Sequence, residues 1–187
     1  QQLMADAGFP EGRGFPMVEM RLRDMYTASQ GGQAAQVIQQ QLREILGIRM
    51  DIRNTQTNSF NQLMHEWKIP MGMVGYGADF PDPQSMLGVP WRSQPQGFTR
   101  HDWTNTRFDD LIDRARGETD REQRFQFYDE AGGILASDVG GAFLWHGQGF
   151  QLRKPWLKGL QQDRSGFYPF WENNTVYGAM YIGGNDY

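Results

Sequence analysis

The sequence predicts an α/β fold, and three observations carry that prediction. Val18, Met20 and Leu22 alternate with Glu19, Arg21 and Arg23, a period of two that marks a strand with one wet face. A helical stripe follows, Ala34, Ile38, Leu42 and Ile45, widened by Ala35 and Leu46. Ile48, Met50 and Ile52 then alternate with Arg49, Asp51 and Arg53. Strand, helix and strand with short joins make a βαβ unit, so the two strands are expected to run parallel.

The elements read in order as follows. Leu3 to Ala7 with Gly8 behind them form the last turn of a helix. Residues 9–14 are a loop, and Met17 to Met25 the first strand. Gly47 stops the helix that opens near Ser29. Asn58 or Ser59 caps a short helix whose apolar face is Phe60, Leu63, Met64 and Trp67. Pro70 ends it, and Met71 to Tyr76 is expected to be a buried third strand. Residues 84–99 read as loop with one helical turn near Ser85, and a loop of that length usually has a job.

Asn105 or Thr104 caps the next helix, buried through Phe108, Leu111, Ile112 and Ala115 and closed by Gly117. Asp120 with Gln123 resembles a capping box. Behind it Phe125, Tyr128, Ala131, Ile134 and Leu135 face the core. Gly132 and Gly133 inside that helix suggest close approach of a neighbouring backbone. Residues 142–146 and 150–153 read as short strands around a glycine turn. From Pro155 the chain is irregular and aromatic, and it is expected to pack on another surface. The domain reading is therefore an α/β lobe over residues 1–154 and an aromatic tail over 155–187.

Composition excludes several function classes. A formal net charge of -4 argues against a nucleic-acid surface. The absence of cysteine excludes a disulfide framework and thiolate chemistry. No stretch approaches the roughly 20 apolar residues of a membrane span. The three histidines, His65, His101 and His146, lie far apart and share no metal-ligand spacing, so no metal and no cofactor is expected. No G-x-S-x-G nucleophile elbow is present.

The stretch that concentrates chemistry is Gly75-Tyr76-Gly77-Ala78-Asp79-Phe80-Pro81-Asp82-Pro83. Pro81 and Pro83 cannot donate to a ladder and keep their predecessors out of helical geometry. A strand that stops here releases an aromatic, a carboxylate and free backbone groups at its carboxyl end, where open α/β sheets bind ligands. The same residues are good turn formers, so Asp79 or Asp82 also fits a capping role. As a pair, Asp79 and Asp82 fit acid–base work of the kind a carboxylate-based hydrolase uses. A protein-interaction domain built on exposed aromatics such as Trp156 and Trp171 is a third reading.

Taken in order, these residues resemble the carboxy-terminal lobe of family 5 extracellular solute-binding proteins, the peptide and nickel type that feed ABC importers. Ala7-Gly8-Phe9-Pro10 is similar to the family's A-G-[YF]-P element. Gln39 to Leu42 with Leu46-Gly47-Ile48 fits its Q-x-x-L-x-x-x-L-G-[IV] pattern. Residues 75–83 match its G-[WY]-x-x-D-[YF]-x-D-P turn. Phe108 to Ile112 with Ala115-Arg116 fits the helix that follows, and Leu152 to Gly159 its V-x-K-P-x-V-x-G crossover.

The resemblance implies a periplasmic-binding-protein type II lobe, a mixed central sheet flanked by helices, and no enzyme. It implies a periplasmic or extracellular location, with lipid anchoring through a missing N-terminus, and partnership with a membrane permease. It implies that Asp79 pairs with the free amino group of a short peptide, that Tyr76 lines the pocket, that backbone at Gly77 runs beside the ligand and that Phe80 walls the cleft. Some peptide binders in the family carry Arg on the preceding strand; Met71, Met73 and Val74 stand here instead. That leaves sugars, metal chelates and opines open as solutes. The first lobe is missing by this comparison, so weak binding by this chain alone is expected, with the aromatic tail left to cover the absent lobe.

Overall fold

The computed structural model describes residues 1–24, 30–94, 102–145, 152, 154–159 and 180–183. The chain divides into two units, residues 1–142 and 143–187.

In the first unit the predicted βαβ is present. Strand β1 spans Val18–Arg23 and β2 spans Met50–Thr55. They pair in parallel with Val18 opposite Met50 and Met20 opposite Ile52. Helix α1 covers Gln2–Asp6 and α2 covers Gln30–Leu46. The period-two pattern sends Met20 and Leu22 inward against Ala35 and Met50, with Ile38, Leu42 and Ile52 packed around them. On the wet face Arg53 bridges Asp51 at 2.8 Å and Arg21 meets Glu19 at 2.7 Å. Ile45, assigned to the buried stripe by spacing, is 55% exposed; the stripe runs instead through Ala35, Ile38 and Leu42.

One helix differs from expectation at both its ends. Helix α3 covers Thr57–His65, and its cap is neither Asn58 nor Ser59: Gln56 accepts the Ser59 N–H through its side chain. Phe60 and Met64 are buried as predicted. Trp67 is not on that face. The helix has already ended, with Lys68 N–H donating to Leu63 C=O at 2.8 Å and Trp67 N–H to Met64 C=O at 3.1 Å. This is the Schellman arrangement, and it places Trp67 at φ 52, a region usually left to glycine.

The third strand is shorter than its apolar run suggests. Strand β3 is only Met71–Gly72, parallel to β1, in the order β2-β1-β3. Val74 is exposed rather than buried. β3 thus sits at the edge of the described sheet, and Gly72, Gly75 and Gly77 give it few side chains with which to hold a ladder. All described strands of this sheet are parallel.

A second core lies beside the sheet's. After a π-type turn at Gln84–Gly88 and the short helix α4, Val89–Trp91, come α5, Thr106–Gly117, and α6, Arg121–Ser137. Asn105 caps α5 by accepting the Phe108 N–H at 3.1 Å, and Asp120 caps α6 by accepting the Gln123 N–H at 2.8 Å. Phe108, Leu111, Ile112 and Ala115 meet Tyr128, Ala131 and Leu135, with Trp91, Trp103 and Ile134 around them. Phe125 lies outside this cluster, 37% exposed. Among the described residues Gly132 and Gly133 mark no close approach: a Cβ on either would meet nothing within 4 Å.

Residues 142–145 carry no strand; the rest of the two strands predicted around the glycine turn lies outside the described residues, Leu152 apart. In the second unit β4, Leu157–Lys158, pairs antiparallel with β5, Tyr181–Ile182. Most of the aromatic tail lies outside the described residues.

Candidate functional site

The predicted site residues lie on irregular chain between the end of β3 and the π-type turn. Beyond Gly72 the ladder to β1 continues through a long bond, Met73 N–H to Arg21 C=O at 3.4 Å. Tyr76 is half-buried, whereas Gly77 and Asp79 are exposed and Phe80 is 43% exposed. A Cβ on Gly77 would meet nothing within 4 Å, so backbone there faces open space.

The two aspartates have separated roles. The Asp79 backbone N–H donates to Ser85 Oγ at 2.9 Å, and Ser85 is the one fully buried polar residue among those described. That bond pins the main chain of Asp79. Its carboxylate has no hydrogen bond or ion pair among the described residues.

Asp82 is engaged through one carboxylate oxygen. Its Oδ1 accepts the Gln84 N–H at 2.9 Å, an Asx-turn, and also Arg124 Nη2 at 2.6 Å. Arg124 Nε donates to Ala115 C=O at 3.2 Å, and its Nη2 lies 3.3 Å from Tyr128 Oη. Tyr128 Oη donates to Gln84 Oε1 at 3.0 Å. The turn is thus stapled to α5 and α6 at its far end, while β3 holds its near end on the sheet. Sequence reading missed Ser85, Gln84, Arg124 and Tyr128 as site supports. Only the Asx signature of Asp82 was visible, because the other partners lie up to 44 residues away.

The charges follow from these contacts. The hydrogen bond from Arg124 holds the Asp82 carboxyl below its ordinary range against the opposing effect of burial. The same bond pushes the Arg124 guanidinium up. Burial raises the Tyr128 phenol. A general acid needs a carboxyl whose protonated form persists near neutral pH. Asp82 is shifted the other way, which speaks against it as the acid of the pair considered from sequence. Among the described residues no group of three His, Asp or Glu converges on a metal-binding geometry.

A parallel β-α-β sheet with a helical core beside it is an arrangement this chain shares with periplasmic binding proteins. The family model for bacterial extracellular solute-binding proteins, family 5 middle, matches residues 1–98, a span that includes the turn. The chain belongs to that family.

Among similar proteins, the oligopeptide-binding protein OppA of Bacillus subtilis is 27% identical over 105 residues, 56% of this chain and 19% of the relative. The heme-binding protein A of Haemophilus influenzae is 25% identical over 174 residues, 91% of this chain and 31% of the relative. Among solved structures, the murein tripeptide binding protein MppA of Escherichia coli superposes with a TM-score of 0.74 at 18% identity, covering 98% of this chain and 34% of that one. A dipeptide binding protein from Pseudoalteromonas, solved with Met-Leu, gives 0.65 at 26% identity, covering 74% and 27%. The chain therefore spans about a fifth to a third of the relatives it matches. Those matches are to binding proteins, and no helix among the described residues is long and apolar enough to cross a membrane.

Proposed function

We propose that this chain is the carboxy-terminal lobe of a binding component of an ABC importer, and that it captures a short peptide or a related small solute for a membrane permease. In this reading the Asp79 carboxylate takes the ligand's ammonium group, Tyr76 and Phe80 wall the cleft, and backbone at Gly77 runs along the ligand. The observation that carries it is the contrast between neighbours. Asp82 is neutralised by Arg124, whereas Asp79 has its main chain fixed by Ser85 and its carboxylate exposed. A charged acceptor on a preorganised backbone recognises an ammonium well once a cleft excludes water around it. The names of relatives that bind oligopeptides and dipeptides support the same reading.

A second lobe closing by hinge motion supplies that exclusion. The small share of each relative that this chain covers supports such a partner lobe, and the tail after residue 154 is the segment that would cover it. The test is calorimetry on the two-lobed protein with short peptides, free or acetylated at the amino terminus. Asp79→Asn and acetylation should each lower affinity at least tenfold, and together no further. Equal affinity for free and acetylated peptides would remove Asp79 from the site. Mass spectrometry of co-purifying solute names the ligand class.

A further inference from the structure

We propose that Ser85 and Pro81 are positioning residues of the candidate site: they withhold from the Asp79 carboxylate the backbone donors beside it, and so keep it free for an ammonium group of the solute. This rests on the ammonium-binding role proposed for Asp79 and adds the residues that secure it.

An aspartate in a turn ordinarily spends its carboxylate on local backbone, either its own N–H or the N–H two residues on. Asp82 does so, accepting the Gln84 N–H at 2.9 Å. Asp79 lies in the same turn and does not. Its own N–H is taken by Ser85 Oγ at 2.9 Å. Two residues on stands Pro81, which has no N–H. Three residues on, the Asp82 N–H is the donor a capping geometry uses, and it goes to Phe80 C=O at 2.8 Å. These local donors are therefore engaged or absent, and Asp79 stands exposed on a main chain that is held.

Ser85 is fully buried, so its hydroxyl acts on the solute only through Asp79. It is itself secured from behind. Its N–H donates to Asp82 C=O at 2.9 Å, and the side chain of the neighbouring Gln84 accepts from Tyr128 Oη at 3.0 Å. The hold on Asp79 thus reaches back to α6. Pro81 is exposed, and what it contributes is the donor it lacks.

The test uses the two-lobed protein carrying carboxyl-labelled aspartate, with the Asp79 NMR signal identified by its loss in Asp79→Asn. Ser85→Ala frees the Asp79 N–H, and Pro81→Ala supplies an N–H two residues on. A melting curve verifies that each variant folds, and the exposed Pro81 position carries the test if the buried change unfolds the protein. In each variant the Asp79 carboxyl should titrate about one pH unit lower than in the parent, because a backbone donor favours its charged form. By calorimetry, affinity for trialanine should fall about fivefold, the factor of one ordinary hydrogen bond, while affinity for N-acetyl-trialanine stays unchanged. A merely structural role weakens both peptides alike and leaves the titration where it was. Unchanged titration in the variants, or equal losses for the two peptides, would overturn the inference while the role of Asp79 stands. Equal affinity of the parent protein for the two peptides, or none for either, removes the role of Asp79 and this inference with it.

Discussion

Arg124 on α6 donates to the Asp82 carboxylate at 2.6 Å, and this contact joins the turn behind β3 to the helical core. Both side chains are about one-quarter exposed, which places the pair between a surface bridge and a buried one. Arg124 also holds the Ala115 carbonyl and Tyr128. Arg124→Met should therefore cost about 1–3 kcal/mol, because Asp82 is left partly buried without its cation. Urea unfolding of the two chains measures this. Asp82→Asn should cost less, since an amide still accepts the Gln84 N–H.

The same pair predicts an acid limb. Asp82 has a native carboxyl below its unfolded value, which lies near pH 3.9. The stability it contributes is complete above that unfolded value and is lost as pH falls through the native one. The difference in unfolding free energy between the parent chain and Asp82→Asn should be constant from about pH 7 to 5 and shrink below about pH 4. Asp113 and Asp138 are lowered too, by Arg92 and by Asn105 with Trp103, but they are common to both chains and cancel. A difference that grows on acidification would contradict the pairing.

Helix α6 carries two glycines that no described residue packs against closely. A Cβ on Gly132 or Gly133 meets no atom within 4 Å, and neither residue has a positive φ. Alanine at each position should stabilise the chain by about 0.5–1 kcal/mol, through lower unfolded-state entropy and better helix propensity. Thermal unfolding of the double variant should show a clear rise in midpoint. A fall would mean that this face is covered in the assembled protein and that the glycines serve that contact.

Much of the fold was legible because its signals are local. Asn105 and Asp120 announce their helices within three residues, and the alternation around Met20 and Met50 sets faces as well as strands. The end of α3 was not legible: Phe60, Leu63, Met64 and Trp67 keep helical spacing, and no glycine follows to mark the stop. The bond from Lys68 to Leu63 ends the helix first. The length of β3 was hidden for a related reason, since an apolar run reports hydrophobicity and not whether a ladder partner exists. At the candidate site the motif was visible but its supports were not. Ser85 and Arg124 act across the turn and across 42 residues, distances that no local pattern encodes.

Helix ends give a prediction with opposite signs at two positions. Gly47 follows α2 at φ 69, and a Cβ there would overlap the Glu11 carbonyl oxygen, while one on Gly12 would overlap the Leu46 carbonyl oxygen. The two glycines let the loop after α1 lie directly on the end of α2. Val139 follows α6 at φ 52, yet it is 72% exposed, and the Gly140 N–H closes the helix on Leu135 C=O at 3.2 Å. At Gly47 alanine adds both strain and a backbone clash. At Val139 glycine removes the strain of a β-branched residue in the left-handed region and sacrifices almost no packing. Gly47→Ala should destabilise by about 2 kcal/mol or more, combining the left-handed penalty with displacement of the loop. Val139→Gly should stabilise by up to about 1 kcal/mol, the left-handed penalty less the added backbone entropy of glycine. Chemical unfolding of both variants against the parent chain measures the pair. Loss of stability in Val139→Gly would show that the exposed valine is buried against a surface beyond the described residues.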